Sequence, residues 1–208
     1  MVRYPPLSAL SCSIKPSSRS IYSPKISMKA LFLLSAAALF GYATAVCPPP
    51  VNTGTINLIK EFEGFVPSPR SDPIGLPTVG YGHLCKNEGC SEVPFRFPLT
   101  EANAATLLRR DLTTFQNCVN SYINRSVHLS DNQYGALVSW AFNVGCGNVK
   151  TSSLVKRLNA GEEPNTVAAQ ELPQWNKGGG KVLPGLVRRR AAEVKLFKTL
   201  SSVSAHPC

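Results

Sequence analysis

Hydrophobic positions follow two different periods along the chain. Ile56, Ile59 and Phe62 recur every three residues and Leu58 stands four before Phe62. That is near helical spacing, and it predicts a helix opened by Thr53 or Thr55 and closed at Gly64. Over residues 66–83 the helical period disappears. Pro67, Pro69, Pro73 and Pro77 punctuate this stretch, and Thr78-Val79-Gly80-Tyr81-Gly82 alternates strictly. Strands and turns are predicted, with Val79 and Tyr81 on a core face and Thr78, Gly80 and Gly82 on an open one. After Thr100 helical spacing returns: from Glu101 to about Tyr122, the residues Leu107, Leu108, Leu112, Phe115 and Val119 form one stripe. Ser130-Asp131-Asn132-Gln133 reads as a capping box in front of Ala136, Leu137, Trp140 and Ala141. Shorter helices are predicted at about Ser152–Asn159, about Pro164–Leu172, and from Pro184 to about Leu200. A mostly helical body with one small antiparallel sheet near its start is an α+β pattern. No internal repeat or linker divides residues 46–208, so one domain is expected there.

The start of the chain changes the picture. Met28-Lys29 precedes an apolar run from Ala30 to Phe40, and Ala43-Thr44-Ala45 follows. A charged start, a short apolar core and a small-residue exit read as a secretory signal peptide over residues 28–45. The run is too short for a stable membrane anchor. Residues 1–27 then read as an upstream extension or as a start placed too early; an organelle transit peptide is the rival. Of the 22 Lys and Arg, five fall in residues 1–45, which hold no acidic residue, so the net charge of +10 drops to about +5 beyond them. A basic body suits an anionic polymer such as a bacterial cell wall. It speaks against nucleic acid, because no basic run with interleaved aromatics occurs in the body.

Six cysteines follow the leader: Cys47, Cys85, Cys90, Cys118, Cys146 and Cys208. An even count after an export signal reads as three disulfides, with fifteen possible connectivities. Cys85 and Cys90 are close enough to clip one loop, and the other four would tie the two termini to the helical body. No histidine stands at ligand spacing to these cysteines, so no metal is expected. Asn124-Arg125-Ser126 is a glycosylation sequon.

Candidate chemistry centres on Glu63, Asp72 and Thr78. The two carboxylates stand nine residues apart and the threonine six beyond, across a proline- and glycine-rich segment able to fold back. Glycosidic cleavage uses such a carboxyl pair. Glu63 closes a helix, where the negative dipole end and the neighbours Phe62 and Phe65 favour the neutral, proton-giving form. Asp72 lies among turn residues, where ionisation is easier, and Thr78 would help it hold a water molecule. Taken singly, each has a plainer reading, as a solvated helix end or a turn former.

With these residues in place, the chain resembles the phage-type lysozymes, glycoside hydrolase family 24, over about residues 51–198. Glu63, Asp72 and Thr78 through His83 match the family pattern at every position. Ala141-Phe142-Asn143-Val144-Gly145, Leu158-Asn159-Ala160-Gly161 and Leu183-Pro184-Gly185-Leu186-Val187-Arg188-Arg189-Arg190 with Glu193 look like further family segments. The leader and the cysteines suggest a secreted, fungal-like member. The resemblance implies a bilobed α+β fold with its sheet in the N-terminal lobe. It implies hydrolysis of the β-1,4 bond between N-acetylmuramic acid and N-acetylglucosamine in bacterial peptidoglycan. Glu63 carries over as general acid and Asp72 with Thr78 as the pair that positions water, in an inverting reaction. Leu84, Phe142 and Ser153 carry over as sugar contacts. His83 is expected in a structural pair with Asp111, and one arginine of Arg188-Arg189-Arg190 is expected at Glu63. Trp140 and Trp175 are expected in the core. The insertion around Lys86–Pro98 departs from the phage pattern. No cofactor and no metal are implied, and a secreted extracellular monomer without a membrane or nucleic-acid partner is expected. A hydrolase of chitin-like polymers and a non-catalytic cell-wall carbohydrate-binding protein are the competing readings.

Overall fold

The computed structural model describes residues 47–72 and 75–208. The expected extension at 1–27 and signal peptide at 28–45 lie outside the described residues. Helix α1 spans Thr53–Glu63 and ends where expected, at Gly64, whose φ of 71° is open to glycine at little cost. Its N-cap is Asn52, not Thr53 or Thr55: the Asn52 side-chain oxygen accepts from Thr55 N–H at 2.9 Å. Tertiary bonds decide among these cap-competent residues. The Asn52 amide donates to Asp131 and Asn132 at 2.9 and 2.8 Å, so the cap also docks α1 onto a later helix.

Strands β1 (Val66–Ser71), β2 (Pro77–Gly80) and β3 (His83–Leu84) form one antiparallel sheet in that order. Thr78 pairs with Arg70 on one side and Leu84 on the other, whereas Val79 pairs with His83. Directly opposed residues share a face, so Thr78 lies with exposed Leu84 and buried Val79 with His83. The predicted open face is only partly realised. The strand stops at Gly80, which is buried under α2 (Glu101–Tyr122), and Tyr81-Gly82 form the turn into β3.

The remaining body is helical. A two-residue strand β4 (Leu129–Ser130) leads into α3 (Asp131–Val144), which carries the predicted capping box from Ser130. Then come α4 (Cys146–Thr151), α5 (Ser153–Asn159), α6 (Pro164–Glu171), a short 3-10 turn at Leu172–Gln174, the hairpin β5 (Lys177–Gly178) with β6 (Lys181–Val182), α7 (Pro184–Lys198) and β7 (Ser204–His206). Strand β7 returns to pair with β4. Helix α3 is the axis of the core. Tyr134, Leu137, Val138 and Trp140 are buried on it, and it packs on α1, α2 and α7. Each such side chain contributes about 1.5–3 kcal/mol on burial. The α+β class holds as predicted.

The disulfides are Cys47–Cys208, Cys85–Cys90 and Cys118–Cys146. The short clip is the expected one. Cys47 and Cys208, however, are joined to each other and not to the helical body, and Cys118–Cys146 staples α2 to the start of α4.

Candidate active site

The C-terminal end of α1, the β2–β3 turn and the facing sides of α2 and α3 enclose a cleft of about 440 Å³. Glu63, Gly82, Leu84, Asp111, Phe115 and Phe142 are among its walls. Glu63 reaches it because Gly64 ends α1 there, and its side chain keeps about a fifth of its surface exposed. Glu61, two residues earlier, points to solvent.

One of the three arginines reaches Glu63, and it is Arg189: Nη1 stands 2.5 Å from Glu63 Oε1. The Arg189 side chain is almost wholly buried, lies over the Phe62 ring, and also contacts Glu193 at 3.3 Å. Glu193 is fully buried and accepts from Ser139 Oγ at 2.8 Å and from Arg190 Nη2 at 2.9 Å. Burial pushes the Glu193 carboxyl up, against the pull of Arg190 and Arg189. Glu63, Arg189, Glu193 and Arg190 thus form one connected polar cluster beneath the cleft. Arg190 extends the cluster to Asn143 at the cleft rim. Arg188, by contrast, is exposed.

Glu63 Oε2 faces the β2–β3 turn. A Cβ on Gly82 would stand 3.2 Å from that oxygen and 3.5 Å from Phe142 Cζ. The backbone there has φ 83°, so glycine both permits the turn and keeps the carboxyl group accessible. Asp72 closes the β1–β2 hairpin. Its N–H donates to Leu76 O and its Oδ1 accepts from Leu76 N–H, both at 2.8 Å. It is therefore a turn former, set just past the Arg70–Thr78 register pair. Thr78 Oγ donates to Arg70 O at 3.3 Å and shares the Leu84 face of the sheet.

Among the expected sugar contacts, Leu84 and Phe142 line the cleft, and Phe142 packs edge-on against Phe115 at 5.2 Å between ring centroids. Ser153 does not: it is the exposed first residue of α5 and is not among the cleft walls. Phe115 was legible only as part of a core stripe, yet it forms the cleft wall. Trp140 is buried as expected and meets Trp175 edge-on at 5.4 Å. Trp175 itself is half-buried and borders a second hollow of about 400 Å³, which shares Asn143 with the cleft and also presents Asn148, Gln174 and Lys177.

His83 pairs with Asp111 as expected, Nδ1 meeting the carboxylate at 2.9 and 3.0 Å. Burial pushes the Asp111 carboxyl up while His83 pulls it down. The structure adds Glu92, whose Oε1 lies 3.3 Å from His83 Nε2. The sequence shows no histidine at ligand spacing to the cysteines, yet the fold brings one close to Cys85. The donor atoms of His83, Cys85 and Glu92 lie within 4.8 Å of one another, because β3 and the following clipped loop fold over the same spot.

A family model described as phage lysozyme matches residues 60–193, a span that contains Glu63, the sheet, the cleft walls and the Arg189–Glu193 cluster. The chain belongs to the phage lysozyme family. Among curated relatives in that family, it is 42% identical over 156 residues to an endolysin of Bacillus phage PZA, covering 72% of this chain and 55% of the phage protein. It is 32% identical over 171 residues to a SAR-endolysin of bacteriophage PS119, covering 82% of this chain and 93% of the relative. The chain spans about half the length of the two Bacillus phage endolysins it matches. Among solved structures, the muramidase domain of SpmX from Asticaccaulis excentricus superposes with a TM-score of 0.61 at 34% identity, over 72% of this chain and 98% of that one. The lysozyme-like α+β fold is thereby shared.

Proposed function

We propose that this chain is a muramidase that hydrolyses the β-1,4 bond between N-acetylmuramic acid and N-acetylglucosamine of bacterial peptidoglycan. The observation that carries the reading is Glu63: a carboxyl group at a helix end, open to the cleft through Oε2 and held at Oε1 by Arg189. In this reading Glu63 gives a proton from Oε2 to the bridging oxygen as the glycosidic bond breaks. Asp72 takes a proton from the water that attacks the anomeric carbon, and the Thr78 hydroxyl orients that water. Attack from the opposite face inverts the configuration, which calls for a carboxyl separation of about 6.5–9.5 Å. Leu84 and Phe142 offer apolar surface to sugar rings. The family match, the endolysin relatives and the muramidase neighbour support this reading. The protein works as a secreted monomer with no metal or cofactor in the reaction, and no helix among the described residues is long and apolar enough to cross a membrane.

Turbidity clearing of bacterial cell walls tests it. Glu63→Gln is expected to fold normally and lose about 10²–10⁴-fold in rate, while Glu61→Gln keeps its activity. A fully active Glu63→Gln chain would sink the assignment. Parallel assays on chitin oligomers separate the muramidase from a chitin hydrolase, which would prefer the latter substrate.

A further inference from the structure

Beside the cleft, a group of donor atoms has no part in the chemistry above. His83 Nδ1 is fixed by both carboxylate oxygens of Asp111, which leaves Nε2 as the outward nitrogen of the ring. Nε2 faces Glu92 Oε1, an oxygen already taken by the Lys86 N–H at 2.7 Å. Glu92 Oε2 is buried and has no hydrogen-bond partner among the described residues. A buried carboxylate oxygen without a donor is costly. Donor atoms of Glu92, His83 and Cys85 lie within 4.8 Å of one another, and Cys90 Sγ is bonded to Cys85 and fully buried. Nitrogen lone pair, carboxylate oxygen and sulfur around one point are what a thiophilic cation needs. A carboxylate behind the outward-facing imidazole is the usual means of aiming such a histidine.

We propose that His83, Cys85, Cys90 and Glu92 form a tetrahedral site for zinc or a similar thiophilic divalent cation when the Cys85–Cys90 disulfide is reduced. A dithiol reductant breaks the S–S bond with two electrons. Its two S–H hydrogens pass to Cys85 and Cys90, and it leaves as a cyclic disulfide. Metal binding then releases both thiol protons to water, and the cation takes two thiolates, His83 Nε2 and a Glu92 oxygen. In the disulfide form the sulfurs carry no charge, and only two donors remain, too few for tight binding. The loop is therefore closed by a covalent clip under oxidising conditions and by a metal under reducing ones. Asp111 is the positioning residue.

Cobalt(II), whose thiolate charge-transfer and tetrahedral d–d bands are visible, serves as the probe. The full chain is reduced with a water-soluble phosphine, which takes up the oxygen of a water molecule as the sulfurs gain its hydrogens. One cobalt per chain with both sets of bands is expected, and none with the oxidised chain or with reduced Cys85→Ser/Cys90→Ser. A second sample needs no reductant. Oxidised Cys90→Ser keeps the other two disulfides and leaves His83, Cys85 and Glu92 as a three-donor site, which should show a one-thiolate band abolished by His83→Gln. Asp111→Asn should weaken cobalt affinity about 10–100-fold in either sample. Absence of bands in both samples overturns the proposal, as does a band in the reduced chain that survives Cys85→Ser/Cys90→Ser. A band in either sample that His83→Gln removes establishes it.

Discussion

Arg189 touches Glu63, Glu193 and the backbone carbonyl of Ser139 with one guanidinium, and almost none of it meets water. Removing the buried guanidinium leaves the wholly buried Glu193 short of a counter-charge, at a cost of about 3–5 kcal/mol. Arg189→Met should lose that much stability in chemical denaturation, whereas exposed Arg188→Met should stay within about 0.5 kcal/mol of wild type. Sequence offered three adjacent arginines and no means to choose. Neighbours in a helix point about 100° apart, and only the packed rotation of α7 turns position 189 toward α1. Glu63 itself was readable, because its distinguishing neighbour, Gly64, is local. Asp72 was readable both as a carboxylate at the right distance and as a turn former. Glu92 was missed, since nothing in its own surroundings signals that it meets His83 nine residues earlier.

At the scale of elements, α1 and α3 approach so closely that a Cβ at Gly135 would stand 1.9 Å from Thr55 Oγ. In an open helix Gly→Ala gains up to about 1 kcal/mol. Here the sign reverses. Gly135→Ala should cost about 1–3 kcal/mol through overpacking, and less in a Thr55→Ala background, as a double-mutant cycle on thermal or denaturant unfolding will show. Helix α6 offers a pH-dependent case. Its cap, Glu163, accepts from Asn165 N–H at 2.9 Å and Thr166 N–H at 2.6 Å, and these bonds, the Asn165 backbone first, hold its carboxyl below the usual 4.5. A depressed folded value means stability that is present above 4.5 and fades as pH falls through the lower folded value. Glu163→Gln should lower Tm at neutral pH, and the gap should close on acidification. Local signals were legible: the span of α2 from Glu101 to Tyr122 and the Ser130–Gln133 capping box stand as read. The pairings of β4 with β7 and of β5 with β6 were not. Two or three residues show no period, and β4 meets its partner some 75 positions away.

For the molecule as a whole, the crosslinks differ chiefly in the length of chain they close. Cys47–Cys208 spans 161 positions and Cys85–Cys90 only five. Chain entropy alone then gives on the order of 5 kcal/mol for the first and about 2 for the second. Cys47→Ala/Cys208→Ala should accordingly destabilise the domain more than Cys85→Ala/Cys90→Ala, measured by guanidinium titration. An even cysteine count predicted disulfides, but not this pairing, because closing one end of a domain onto the other is a property of the finished shape.

That closure also decides how the domain carries load. With Cys47 and Cys208 covalently joined and their Cα atoms 5.4 Å apart, tension between the two ends runs through one sulfur–sulfur bond and bypasses every helix. The cleft would keep its shape while the domain is pulled from both ends. Once that bond is reduced, the same pull has on the order of 500 Å of chain to unravel.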